Sequence, residues 1–225
     1  MSDSRKIVVR KDGPYCVYGN VPLVRKRQIV SERGEPLTWE KGDALDTREM
    51  YTLCRCGQSK RKPFCDGTHG EIDFDGTESA DTHVTTERQI IYPGSTYIVV
   101  KHDDYLCTNS GFCGNRMAKI SQLVTSTDDI GVRTQVISMI EHCPSGALTY
   151  SMRTGKSDIE PDLPQQIAVT TEITSHGPVA GPLWVTGNIP IKRSDGLPFE
   201  TRNRVTLCCC GRSQNKPLCD GTHRF

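Results

Sequence analysis

The chain has 225 residues, a net charge of +1 and 35% hydrophobic residues. That length allows one sizeable core or two to three small domains, and two Trp and five Phe predict small cores that lean on other supports. The near-zero charge, with no strongly basic segment, argues against a nucleic-acid partner. The N-terminus has no secretory apolar region and no stretch reaches a membrane span, so the sequence reads as a soluble, cytoplasmic protein of a reducing compartment. In chain order, Ile7-Val8-Val9 predicts a first strand that Gly13-Pro14 breaks. The run Gly13 to Leu23 then has a counterpart at Gly181 to Ile191, both reading GP-x2-V-x-GN-x-P-x. Cys16 aligns with Trp184 and is expected to pack rather than bind. Pro22 to Cys54 is 32 positions and Pro190 to Cys208 only 18, so the first copy carries a surplus, with Ser31 to Pro36 read as a loop. Met50 to Leu53 and Arg204 to Leu207 are expected to be strands.

Those strands lead into one motif written twice, C-x-C-x8-C-x3-H. The first copy places Cys54, Cys56, Cys65 and His69; the second places Cys208, Cys210, Cys219 and His223. Three thiolates and an imidazole suit structural zinc or an iron–sulfur cluster, and the C-x-C spacing speaks against zinc, whose pairs are usually C-x2-4-C. Gly57, Gly67, Gly211 and Gly221 allow close backbone approach, and Asp66 and Asp220 stand where a carboxylate caps a short helix. Cys209 falls at a variable position and is expected to be a bystander.

Between two segments read as linkers, 71–82 and 153–166, lies a different unit. Thr96 to Val100 predicts a strand, Val132, Val136, Ile137 and Ile140 mark one face of a helix ending near His142, and Leu148 to Tyr150 predicts a returning strand. Cys107, Cys113 and Cys143 form the outline of a ferredoxin cubane site, with Ser110 at the intermediate position and Pro144 stopping the helix. Three buried, unreactive cysteines are the alternative. His83, His102 and His176 read as ordinary surface residues, and His142, beside Cys143, as a helix-end histidine or a tuner of that site.

Both sixteen-residue stretches resemble the CDGSH iron–sulfur (NEET) family at every defined position of its signature. The resemblance implies a [2Fe–2S] cluster held by three Cys and one His in each copy. Family members with one motif are intertwined homodimers exchanging strands, so it also implies an internal pseudo-dimer with a pseudo-twofold; two independent beads are the alternative. Residues 84–152 resemble a divergent single-cluster ferredoxin family, which implies one [3Fe–4S] or [4Fe–4S] cluster on Cys107, Cys113 and Cys143. The expected fold is α+β, mostly small β, with a first CDGSH domain over 1–80, a ferredoxin-like insert over 81–160 and a second CDGSH domain over 161–225.

The sequence carries no Rossmann, P-loop or flavin fingerprint and no convincing nucleophile–base set, so the expectation is an electron carrier rather than an enzyme. Its partner would be a redox protein, a reductase or an acceptor, and the chain is expected to be monomeric without nucleic-acid or membrane partners. A cluster donor or a redox, iron or pH sensor is the alternative, and an electron-feeding subunit of an oxidoreductase is a third.

Overall fold

Short β-branched runs cut by Gly-Pro and Gly-Asn pairs favour brief strands and tight returns, and the fold is built mainly from them. A computed structural model describes residues 5–93, 97–115, 117–152 and 155–225. In chain order the strands are β1 (Lys6–Val9), β2 (Tyr15–Tyr18), β3 (Leu23–Val30), β4 (Pro36–Leu45), β5 (Met50–Leu53), β6 (Ile90–Ile91), β7 (Val99–His102), β8 (Leu148–Ser151), β9 (Gln166–Thr174), β10 (Gly177–Thr186), β11 (Ile191–Lys192) and β12 (Arg204–Leu207). The α-helices among the described residues, α1 (Thr85–Arg88), α2 (Ile120–Leu123) and α3 (Ile130–His142), lie in the middle of the chain. The fold is therefore α+β and mostly strand, as expected from the sequence.

The strands form sheets in the orders β11-β1-β2-β5, β12-β10-β9-β3-β4 and β6-β7-β8. In the first sheet β1, β2 and β5 come from the N-terminal copy of the repeat and β11 from the C-terminal copy. In the second, β9, β10 and β12 come from the C-terminal copy and β3 and β4 from the N-terminal one. The two crossings match in register. β11 pairs parallel with β1, Ile191 opposite Ile7, and β3 pairs parallel with β9, Leu23 opposite Ile167. The first backbone bond of each is also the same, Ile7 N–H to Pro190 O at 2.8 Å and Ile167 N–H to Pro22 O at 2.9 Å.

Each repeat thus sends the strand that follows its GN-x-P turn into the sheet of the other. One apolar cluster runs through both, including Ile7, Val17, Leu23, Leu53, Ile167, Val185, Ile191 and Leu207. Cys16 is buried on β2 opposite Thr52, and Trp184 takes the corresponding place opposite Thr206, so both are packing residues.

The surplus in the first copy extends the β3–β4 hairpin, and Ser31 to Pro36 closes it. Its tip region reaches the middle unit: Gln28 Nε2 donates to Ser110 O at 2.9 Å, and Trp39 lies 5.5 Å from both Phe112 and Trp184, ring centre to ring centre. The middle unit has its own core of Ile98, Val100, Ile120, Val124, Val136, Ile140, Leu148 and Tyr150, in which α3 covers β7 and β8. Asp129 caps α3 by accepting from Val132 N–H at 2.9 Å. The expected strand over Thr96 to Val100 begins at Val99 among the described residues, and Thr96 lies outside them.

The two segments read as linkers are pinned rather than loose. Ser79 and Ala80 N–H both bond Lys216 O, Arg193 donates to Glu78 O and Ala80 O, and Ile159 bonds back to Tyr150 O. No helix among the described residues is long and apolar enough to cross a membrane.

Candidate metal centres

Each C-x-C pair emerges from the end of a ligand-delivering strand. After β5, Cys54 N–H bonds Pro63 O at 2.8 Å and Cys65 N–H returns to Thr52 O at 3.0 Å; after β12, Cys208 N–H bonds Pro217 O at 2.9 Å and Cys219 N–H bonds Thr206 O at 3.0 Å. Ser59 and Ser213 hydroxyls close the loops on Phe64 O and Leu218 O, each at 2.7 Å. Asp66 accepts from Lys60 and Thr68 N–H, and Asp220 from Gln214 and Thr222 N–H. These carboxylates hold the short turns Thr68–Gly70 and Thr222–Arg224, which carry the histidines.

The eight donors gather as four pairs. Sγ of Cys54 lies 3.8 Å from Sγ of Cys56, and Cys65 Sγ lies 3.4 Å from His69 Nδ1. The second copy gives 3.7 Å for Cys208–Cys210 and 3.3 Å for Cys219–His223. Two sulfur ligands on one tetrahedral centre, each at about 2.3 Å, stand roughly 3.7 Å apart. Among the described residues, neither quartet brings three donors within 4.8 Å of one another, as a single zinc ion would need. Two pairs per motif fit a dinuclear iron site. Burial pushes the Cys56, Cys65 and Cys219 thiols above their usual range, so these groups would become thiolates only by giving their protons up to a metal.

In the middle unit, a short turn over Asp104–Leu106 leads into Cys107, and α3 ends at His142 so that Cys143 and Pro144 turn away. Cys107, Cys113 and Cys143, with Ser110 among their neighbours, line one cavity of about 140 Å³. Desolvation raises the Cys107 thiol, with Cys143 and Cys113 adding to it, and it raises the Cys113 thiol, with Cys143 adding to it, although residue Cys113 keeps an exposed edge. The Thr108 hydroxyl, on the same cavity, is buried with no hydrogen-bond partner. An unpartnered buried hydroxyl on a residue that lines the cavity with three thiols is a group that a sulfide-bearing cluster could satisfy. His142 does not enter this lining; its ring stacks on Phe112 and its Nδ1 lies 2.7 Å from Ser138 O.

A family model for the iron-binding zinc finger CDGSH type matches residues 12–70 and 180–224, and one for the divergent 4Fe-4S mono-cluster matches residues 94–153. The chain carries two CDGSH-type domains with a divergent 4Fe-4S mono-cluster domain between them. It is an iron–sulfur protein. No curated protein matches it.

The two CDGSH sites touch. A Cβ at Gly57 would overlap the Cys210 carbonyl and one at Gly211 the Cys56 carbonyl, and both glycines have positive φ. The Tyr15 hydroxyl donates to Cys208 O at 2.7 Å across the same junction. The mono-cluster loop abuts the second CDGSH loop: Gly221 packs on Thr108 O, Asn109 Nδ2 reaches Asp220 O at 3.4 Å, and Asn215 Nδ2 reaches Tyr105 O at 2.6 Å.

The two CDGSH sites also differ. His223 is buried and its Nε2 lies 2.9 Å from Oε2 of the fully buried Glu172, which also pairs with Arg224. A carboxylate on the far ring nitrogen fixes Nδ1 as the free donor. His69 is half-buried and has Gly13 beside its Nε2. Between the paired cysteines stands buried Arg55 in the first site, bonded to Arg10 O and Gly76 O, and Cys209 in the second, its thiol pushed up to about 12 by burial. Sequence reading missed Glu172, which lies 51 positions from His223 on a strand that was not anticipated. Arg55 was visible as the counterpart of Cys209 but carried no sign of its burial.

Proposed function

We propose that the chain is a multi-cluster electron-transfer protein holding two [2Fe–2S] clusters and one [4Fe–4S] or [3Fe–4S] cluster. Cys54, Cys56, Cys65 and His69 hold the first, Cys208, Cys210, Cys219 and His223 the second, and Cys107, Cys113 and Cys143 the third. The two CDGSH halves act as an internal pseudo-dimer, supported by the matched crossings of β3 and β11. The observation that carries the reading is the contact of the three donor sets through their own loops, Gly57 to Cys210, Gly211 to Cys56 and Gly221 to Thr108.

Iron–sulfur clusters supply one-electron redox chemistry at potentials set by ligand charge, hydrogen bonding and exposure. The protein's part is to hold thiolates and imidazoles in fixed pairs, to bury Cys208, Cys219 and His223, and to keep the three sites adjacent. The partner is a redox protein, and the half-buried His69 and Cys65 make the first site the face for it. Rapid electron exchange between the anaerobically purified chain and a flavoprotein reductase, with iron retained, is the expected result. The same exposure at His69 favours a second reading, a cluster donor. Stoichiometric transfer of iron and sulfide to an apo-acceptor, without prior electron exchange, would replace the first reading with the second.

A further inference from the structure

We propose that His102 supplies the fourth ligand of the middle iron–sulfur site; the inference rests on the mono-cluster reading above. His102 ends β7 and stands opposite Leu148 of β8, the strand that follows Cys143, while the turn after it runs into Cys107. Strand pairing therefore brings His102 to both chain segments that carry the cysteines. It lines the same 140 Å³ cavity as Cys107, Cys113 and Cys143. A ring nitrogen of His102, a carboxylate oxygen of Asp104 and Cys107 Sγ all lie within 4.8 Å of one another, the one such group of three donors among the described residues.

Three residues compete for the fourth place. Asp104 reaches Cys107 but is exposed, and it borders the outer groove with Cys107, Tyr105, Asn215 and Asp220, not the cavity that all three cysteines line. Ser110 borders the cavity, but a serine hydroxyl binds iron well only once ionised, far from its ordinary state at neutral pH. A neutral imidazole needs no such step. The His102 ring is also held in place: it stacks on Tyr92 at 5.9 Å between centres, and its Nδ1 lies 3.3 Å from the Tyr92 hydroxyl. With Nδ1–H donating to that oxygen, Nε2 keeps its lone pair for iron, the usual division of labour in a metal-binding histidine. Three thiolates and a neutral imidazole leave the site one charge less negative than four thiolates, which raises its potential.

The test compares iron and sulfide counts, Mössbauer spectra and reduction potentials of the anaerobically purified full chain with those of His102→Ala, His102→Cys and Ser110→Ala. The expected result is a four-iron centre in the wild type and in Ser110→Ala. His102→Ala should lose one iron from that centre in air at least about tenfold faster and give a three-iron signal. His102→Cys should hold four irons at a lower potential. A four-iron centre in His102→Ala with wild-type stability and potential would overturn the assignment, as would iron loss in Ser110→Ala. A wild-type chain with both [2Fe–2S] signals and no cubane signal would overturn the mono-cluster reading itself. In that case one equivalent of zinc, bound by wild type and lost in Asp104→Ala, would reassign His102, Asp104 and Cys107 to a single-ion site.

Discussion

The carboxylate of Glu172 shows how much a single contact can separate two otherwise equal motifs. Its place on the far side of His223 pushes electron density into the ring, and no carboxylate at hydrogen-bond distance stands beside His69 among the described contacts. Glu172→Gln keeps a hydrogen-bonding side chain and removes the charge. The potential of the second CDGSH site should then rise while that of the first stays fixed, as read by spectroelectrochemistry. An unchanged gap between the two would deny Glu172 any electrostatic hold on the site. Replacing the imidazoles tests the ligands directly. His69→Cys and His223→Cys each add a negative charge, so each should lower one potential and alter one visible band, and variants that titrate like wild type would remove the histidines from the ligand sets.

At the scale of elements, β12 is tied to the middle unit through one residue. Arg204 is fully buried on that strand, donates to Ile140 O, Glu141 O and Leu148 O, and has its Nε 2.9 Å from Glu160 Oε2. Arg204→Ala leaves three carbonyls and a carboxylate without their cation and should cost about 3 kcal/mol, the low end for a broken buried pair because Glu160 is partly exposed. A thermal midpoint equal to wild type would contradict this anchoring role.

The sheet joining the two repeats carries a pH-dependent element of its own. Burial, with Lys41 nearby, lowers the Lys26 ammonium to about 8, while the Trp184 ring 3.8 Å from its Nζ works in the opposite direction. The unfolded lysine holds its proton up to about 10.4, so the unfolded chain binds more protons between those values and stability should rise with pH across that window. Lys26→Met should flatten this rise in denaturation curves; a rise that persists in the variant would assign it to another group.

What the sequence made legible follows the same physics. β5, β12 and α3 could be read to the residue or nearly so, because apolar periodicity and the Pro144 stop mark them. The β3–β4 hairpin could not: β4 is exposed along most of its length, so it has no alternating pattern, and only the unequal spacing of Pro22–Cys54 and Pro190–Cys208 showed that something was added. The two CDGSH segments were legible because each motif spans sixteen residues of local chain. His102 and Glu172 were not, since strand pairing and sheet packing, rather than spacing, bring them to their sites.

Across the whole molecule these differences point one way. The residue between Cys54 and Cys56 in sequence is the buried cation Arg55, whereas the second site has neutral Cys209 at that position and the Glu172 carboxylate on its histidine. The first CDGSH site should therefore hold the higher potential of the two, with the second standing between it and the mono-cluster loop. Arg55→Gln should lower the potential of the first site and narrow the difference. An anaerobic reductive titration of the intact chain, followed by EPR with iron and sulfide counts, tests the central claim most directly. Two reversibly reducible [2Fe–2S] signals at different potentials are expected, the first CDGSH site reduced before the second, together with a separate cubane signal. Zinc in the Cys–His quartets, or iron sites that do not reduce and reoxidise reversibly, would contradict it.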